Sequence, residues 1–466
     1  MSRRPQFIRS RAQVFCFLGA LLLASVANLG AAAPSLEVRE IPLGKAEPGT
    51  IPESFVVSAN FQHHAYVAVQ QDQQAIFIDG ALVGRYQGVG QGTPIFSTEG
   101  DSVAFVAIQS QGSVLVLDGK PSPPYEGIDR LRFSQDGRRH AFVAEKGQFV
   151  RAVIDGIEGR DYSQIGEGDP IFSQDASRVA YAARRNSKWV LVENGKEGPE
   201  FDALGRGESY FSADGKTCVY LGLRNARYTV IVNGVSSKEY DAISDVVIST
   251  NGVVCFRAVR GAHQMVVFGG REGAKQEAVL AGSLSISKDG RHYAFGIKHG
   301  RDVRMIVDAA DGIPFQEIGP VVFDSSGRRS AYKAIRDLDA YVVVDGKPDQ
   351  AFATLALDAP IFSPDGSRVA YIAQRSARWH VVLNGQLGPA YDDVGQGTLS
   401  FSADGNHLAY WAKRGIRSVF IIDGAESGEY KTYLGRRRPW SNPDGSFATM
   451  ALKGDQFVRL ETRPPK

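Results

Sequence analysis

Long apolar runs are nearly absent from this sequence. Among its 466 residues one uninterrupted stretch stands out, Val14–Ala24. It is too short to span a bilayer comfortably. Four arginines precede it (Arg3, Arg4, Arg9, Arg11), and small residues follow at Ser25-Val26-Ala27 and Gly30-Ala31-Ala32. A basic start, a short apolar run and a small-residue cleavage site make an export signal. Residues 1–32 are therefore expected to be a signal peptide. The mature chain is expected to be exported, periplasmic or extracellular, with no stable membrane insertion after cleavage. Gln6 stands where a twin-arginine signal wants an apolar residue, so general secretion is the expected route. Cys16 lies inside the apolar run, which argues against a lipid anchor.

Cysteine and methionine are scarce, at 3 and 4 residues, and neither sign of charge dominates. Lys+Arg is 53 against 51 Asp+Glu; without the first 33 residues the balance is 49 to 51. A near-neutral body offers no electrostatic footprint for nucleic acid. No CxxC pair or zinc spacing occurs, so no metal site or cofactor is expected. Glycine, by contrast, numbers 51, as suits a turn-rich β protein.

What the chain has in quantity is repetition. The stretch Ile361–Tyr371, IFSPDGSRVAY, recurs eleven times, with anchors at Ser58, Ser97, Ser134, Ser173, Ser212, Ser249, Ser287, Asp324, Ser363, Ser402 and Ser441. The steps are 37–39 residues throughout, which marks a repeat architecture. Each unit reads as four short strands. An Asp-Gly or Asn-Gly turn, such as Asp365-Gly366, joins the first two, because glycine takes the positive φ and the acid bonds its own backbone. Phe61 and Ala176 replace that glycine in two copies. The second strand is apolar on both faces and carries an aromatic in ten copies, Tyr371 among them, with Met450 in the last. A strand apolar on both faces must be covered on both. A third strand ends at a second turn, such as Asn384-Gly385, and a fourth carries one aromatic, such as Tyr391. In the sixth copy Gln276 takes that place. Cys218 and Cys255 fall at the positions of Val369 and Ala370, on opposite strand faces, so two buried thiols are expected rather than a bridge.

Four-stranded units every 38 or so residues describe an all-β propeller of eleven blades. The fragment FSPDGSRVAY also resembles the Pro-Asp-type, WD-repeat-like repeats of TolB-type propellers and of prolyl-oligopeptidase relatives, over about residues 55–460. That resemblance implies a propeller used for protein contact and transfers no binding residue, since the shared motif is the blade itself. Residues 33–54 form an N-terminal strand and linker, and 55–466 the propeller region. The eleventh copy lacks its fourth strand, which Leu36–Leu43 could supply. Eleven blades exceed the usual four to eight per ring, so two tandem rings are expected, with a junction near 269–285. The alternative is one wide ring closed by the N-terminal strand.

No motif points to catalysis. Gly215-Lys216-Thr217 imitates a phosphate loop but has Tyr210 in place of its first glycine and enters a strand. No GxSxG elbow is present. The histidines, including His63, His64, His140, His292 and His407, reuse repeat positions rather than converge. Asp392-Asp393 reads as a turn cap. Arg436-Arg437-Arg438 beside Trp440 is the densest basic run after the signal. It is the candidate interaction patch, since Arg and Trp are enriched at binding hot spots. The expected function is a non-catalytic scaffold for a protein or peptide partner. The alternative is an enzyme, or a carbohydrate or small-molecule binder, using a ring channel.

Overall fold

The computed structural model describes residues 36–465, apart from 99, 206–209 and 435–437. The described residues form eleven small antiparallel sheets and a single short 3-10 turn, Pro52–Ser54. We number the blades 1 to 11 by the anchors Ser58 to Ser441. In blade 9 the innermost strand (Ile361–Phe362) pairs with a second strand (Val369–Arg375). That strand pairs with a third (Arg378–Leu383), and the third with a short outermost strand (Gln386–Leu387).

The turns explain the repeat. Gly366 has φ +74°, and its N–H donates to the Ser363 carbonyl at 2.9 Å. The Ser363 hydroxyl donates to Asp365 Oδ1 and accepts the Arg368 N–H at 3.0 Å. Bonded in this way, the carboxyls of Asp365 and Asp404 are held down at about 2. Blade 8 swaps the partners: Ser326 donates to Asp324, the anchor. Phe61 and Ala176 adopt the positive φ themselves, +56° and +57°. At the outer turn Asn384 and Gly385 are both left-handed, and Asn384 Oδ1 accepts the Val369 N–H at 2.9 Å. That bond ties the outer hairpin to the second strand.

Each blade buries its faces against two neighbours. The outer aromatic of one blade meets the second-strand aromatic of the next edge-on. Examples are Tyr162–Tyr181, Tyr240–Phe256, Phe352–Tyr371 and Tyr391–Tyr410, with ring centroids 5.8–6.2 Å apart. An arginine from the later blade covers the ring's other side: Arg260 over Tyr240, Arg375 over Phe352, Arg414 over Tyr391. A second arginine works the opposite end of the seam. Arg368 lies over Phe401 of the next blade and donates to the carbonyls of Gly405 and Asn406. Arg139, Arg178 and Arg329 do the same in blades 3, 4 and 8. In the second set, where Arg139, Arg178 and Arg329 are 20–30% exposed, such cation–π and charge-assisted bonds contribute about 1 kcal/mol each.

The seams run without a break through blades 1–2, 2–3, 3–4, 4–5, 5–6, 6–7, 7–8, 8–9, 9–10 and 10–11. Blade 11 then packs on blade 1 through Ala448, Met450 and Phe457 against Val57, Phe61 and Tyr66. The chain is one eleven-bladed ring, and the expectation of two tandem rings is corrected. No junction exists at 269–285: Gly269-Gly270 is the ordinary outer turn of blade 6, and Val279 and Leu284 pack with Cys255 and Phe295 in a regular seam. Gln276 keeps the backbone pairing with Gln264, and at the other end of that third strand Phe268 stacks on Tyr293 at 4.5 Å. Asp308-Ala309 is likewise an ordinary outer turn.

Closure uses the N-terminal strand, Val38–Lys45, as the outermost strand of blade 11, antiparallel to Gln456–Thr462. Glu40 accepts from Tyr430 of blade 10 and from Lys453, just as Glu426 accepts from Tyr391 and Arg414 one seam earlier. Cys218 and Cys255 are free, buried thiols in seams 4–5 and 6–7, and burial pushes both up to about 12.

The closing seam contains a buried imidazole, His64, 1% exposed, stacked near Phe55 and Tyr66 and tilted against Phe457. Burial lowers its affinity for a proton, and Asp79 opposes this only in part. A depressed histidine is neutral in the fold and charges in the unfolded chain. Its contribution is therefore present above the ordinary imidazole range near ~6.5 and lost as pH falls through it. Urea midpoints at pH 7.5 and 5.5 are expected to show lower stability at pH 5.5. His64→Phe should remove a large part of that difference, leaving the share from His140, which burial shifts in the same direction. An unchanged pH dependence in the variant would contradict the assignment.

Candidate interaction surface

The inner strands of different blades meet around one opening. A cavity of about 770 Å³ is lined by the inner strands and anchors of blades 3 to 8, including Phe133, Ile171, Phe211, Val247, Ile286 and Val322. A second, of about 600 Å³, runs on to blade 11 and is lined by Phe323, Ile361, Phe401 and Arg438. Both are the size of a ligand pocket. Each innermost strand pairs only with the second strand, so its other backbone edge is open toward this space.

Chain direction orders the wall. The connector entering each blade forms one mouth, the inner strand the wall, and the Asp-Gly turns the other mouth. Arg438 sits on the connector of blade 11 and is exposed. Trp440, two residues on, pairs with Ala448 in the position of Ile361 and is 38% exposed. Of the predicted patch, Arg438 thus lines the opening, and Trp440 stands on the short inner strand that follows it. Arg436 and Arg437 lie outside the described residues.

Two charged wall residues were not singled out from the sequence: Arg132, in the position of Ile361, and Lys288, in the position of Pro364. Their signal was available as departures from the repeat, a charge at places held in the other copies by uncharged residues. The acids at the wall are already engaged. Asp324 accepts from Ser326 and the Arg329 N–H, and Asp358 accepts the Gly397 N–H at 2.5 Å.

The other motifs fall into architecture. Gly215-Lys216-Thr217 is an inner turn, with the Gly215 N–H on the Ser212 carbonyl. His63, His292 and His407 each bond an outer-turn aspartate of their own blade, at 2.6–2.7 Å. Asp392 pairs with Arg378 and Asp393 with Lys413. Trp189 and Trp379 are half-buried at the start of third strands. Among the described residues no group of three or more His, Cys, Asp and Glu has metal-binding geometry, and no helix is long and apolar enough to cross a membrane.

No family model matches the chain, and no curated protein matches it. Solved structures do. A eukaryotic initiation factor shares 11% identity over 70% of this chain and 96% of its own, with a TM-score of 0.39. The Dos1 propeller shares 12% over 67% and 95%, at 0.30. The propeller domain of the trilobed protease from Pyrococcus furiosus, described as having an open velcro topology, shares 14% over 66% and 99%, at 0.28. Likeness at this level assigns no function.

Trp440 belongs to the surface and Trp411 to a seam, where its indole N–H donates to Thr449 of blade 11 at 3.0 Å. In urea denaturation Trp440→Ala is expected to change stability by less than about 0.5–1 kcal/mol, and Trp411→Ala to cost about 3–5 kcal/mol. Equal costs would place Trp440 in the core.

Proposed function

We propose that the mature chain is an exported, non-catalytic scaffold of the TolB-like, WD-repeat-like kind, holding a protein or peptide partner at its central opening. The observation that carries this reading is the composition of the wall. Inner strands from six blades present Phe, Ile and Val side chains around the 770 Å³ cavity. Partly exposed apolar side chains with open backbone edges suit a polypeptide, which offers both side chains and amides. The two acids engaged by backbone N–H groups are placed for structure rather than proton transfer. The arginine-clamped seams keep the wall rigid, so little ordering cost falls on binding.

The test is a photo-cross-linking amino acid placed at Phe172 in the full-length chain, expressed in its native host and recovered from the envelope fraction. The expected result is a discrete protein adduct, on a chain whose N-terminus begins after Ala27 or Ala32. Absence of any protein adduct, together with binding to a glycan or small-molecule array, would favour the channel-enzyme or carbohydrate reading and sink this one.

A further inference from the structure

Most arginines here are committed to acids, rings or carbonyls in the seams. Three cations at the opening are not. Arg132, Lys288 and Arg438 line the two cavities, and none has a hydrogen bond or ion pair through its side chain to a described residue. They stand in blades 3, 7 and 11, at steps of four, four and three blades around the ring. They also differ in depth. Arg438 precedes its inner strand, Arg132 lies within its strand, and Lys288 follows the anchor Ser287. The three therefore spread around the opening and along it, from the connector mouth to the turn mouth.

Resting on the scaffold reading, we infer that the opening selects an extended, acidic polypeptide segment that also carries apolar side chains. Unpaired cations in a partly enclosed, apolar-walled space create a positive potential that an anionic segment relieves. The first cavity has Arg132 and Lys288 and no acid among its lining residues, and the two acids of the second are engaged by their own surroundings. Asp324 is buried in its turn, and Asp358 is held by the Gly397 N–H beside Lys333. Charges at three depths fit a chain passing along the axis better than a compact ion, which could meet one of them at a time. The apolar wall between them, Phe172, Ile286 and Ile361 included, supplies contacts for the alternate side chains of such a segment.

The probe is a fluorescent sixteen-residue peptide of alternating Glu and Leu, compared with its Lys/Leu counterpart, in anisotropy titrations against the mature chain. The acidic peptide is expected to bind, more weakly as salt rises, and the basic one not to bind. Arg132→Glu/Lys288→Glu/Arg438→Glu should weaken the acidic probe by at least about tenfold. Lys120→Glu/Lys196→Glu/Lys347→Glu, with the same change in net charge on the outer hairpins, should change it by less than about twofold. A Gln triple at the inner positions repeats the test without introducing repulsion, and thermal melts check that each variant is folded. Equal binding of the two peptides, equal losses from the inner and outer triples, or no binding of either peptide overturns the inference. A cross-linked partner whose segment in the opening is neutral or basic would overturn it too, while leaving the scaffold reading intact.

Discussion

A sheet with two apolar faces has nowhere to go but between two others. Every blade of this protein is such a sheet, and the seam between consecutive blades is the interaction on which the rest depends. Its fullest form, between blades 8 and 9, is an outer aromatic edge-on to a second-strand aromatic, with arginines at the seam's two ends. Burying one such aromatic contributes roughly 1.5–3 kcal/mol. An open stack would leave its two end faces, and that much aromatic surface, in water. Closure is therefore imposed by the seam, and the number of blades follows from how many copies the chain carries.

Closing eleven blades sets a second requirement. The last blade would expose the edge of its third strand, Gln456–Thr462, and the N-terminal strand covers it. The match extends to side chains. Glu40 receives the tyrosine and the cation that Glu426 receives one blade earlier, so the N-terminal strand carries the chemistry of an outer strand although it lies at the other end of the chain. Such a wide ring holds its inner strands apart, and the opening between them becomes a usable surface. The scaffold and its candidate site are consequences of one packing rule.

Much of this was legible in the sequence. The 37–39-residue rhythm, the Asp-Gly turns and the aromatic at the Tyr371 position specify blades, because each reports a local demand: a positive φ, a tight hairpin, a filled interface. The vacancy in the last repeat and the spare strand near Leu36–Leu43 were also visible. Ring count was not. It depends on the angle between blades, which many small side-chain volumes set together, and a base rate for smaller rings pointed the wrong way. The candidate site was half legible. Arg438 and Trp440 announce themselves as a dense local run. Arg132 and Lys288 are single residues in blades far apart in sequence, and only the ring shows that they share an opening with Arg438.

The single closed ring is the claim from which the opening, its wall and its charges all follow. Face-on class averages of the purified mature protein by electron microscopy test it most directly. One annulus with eleven radial spokes and a central hole is the predicted result. Two joined discs of about five and six spokes, or an open arc with blade 11 apart from blade 1, would contradict it.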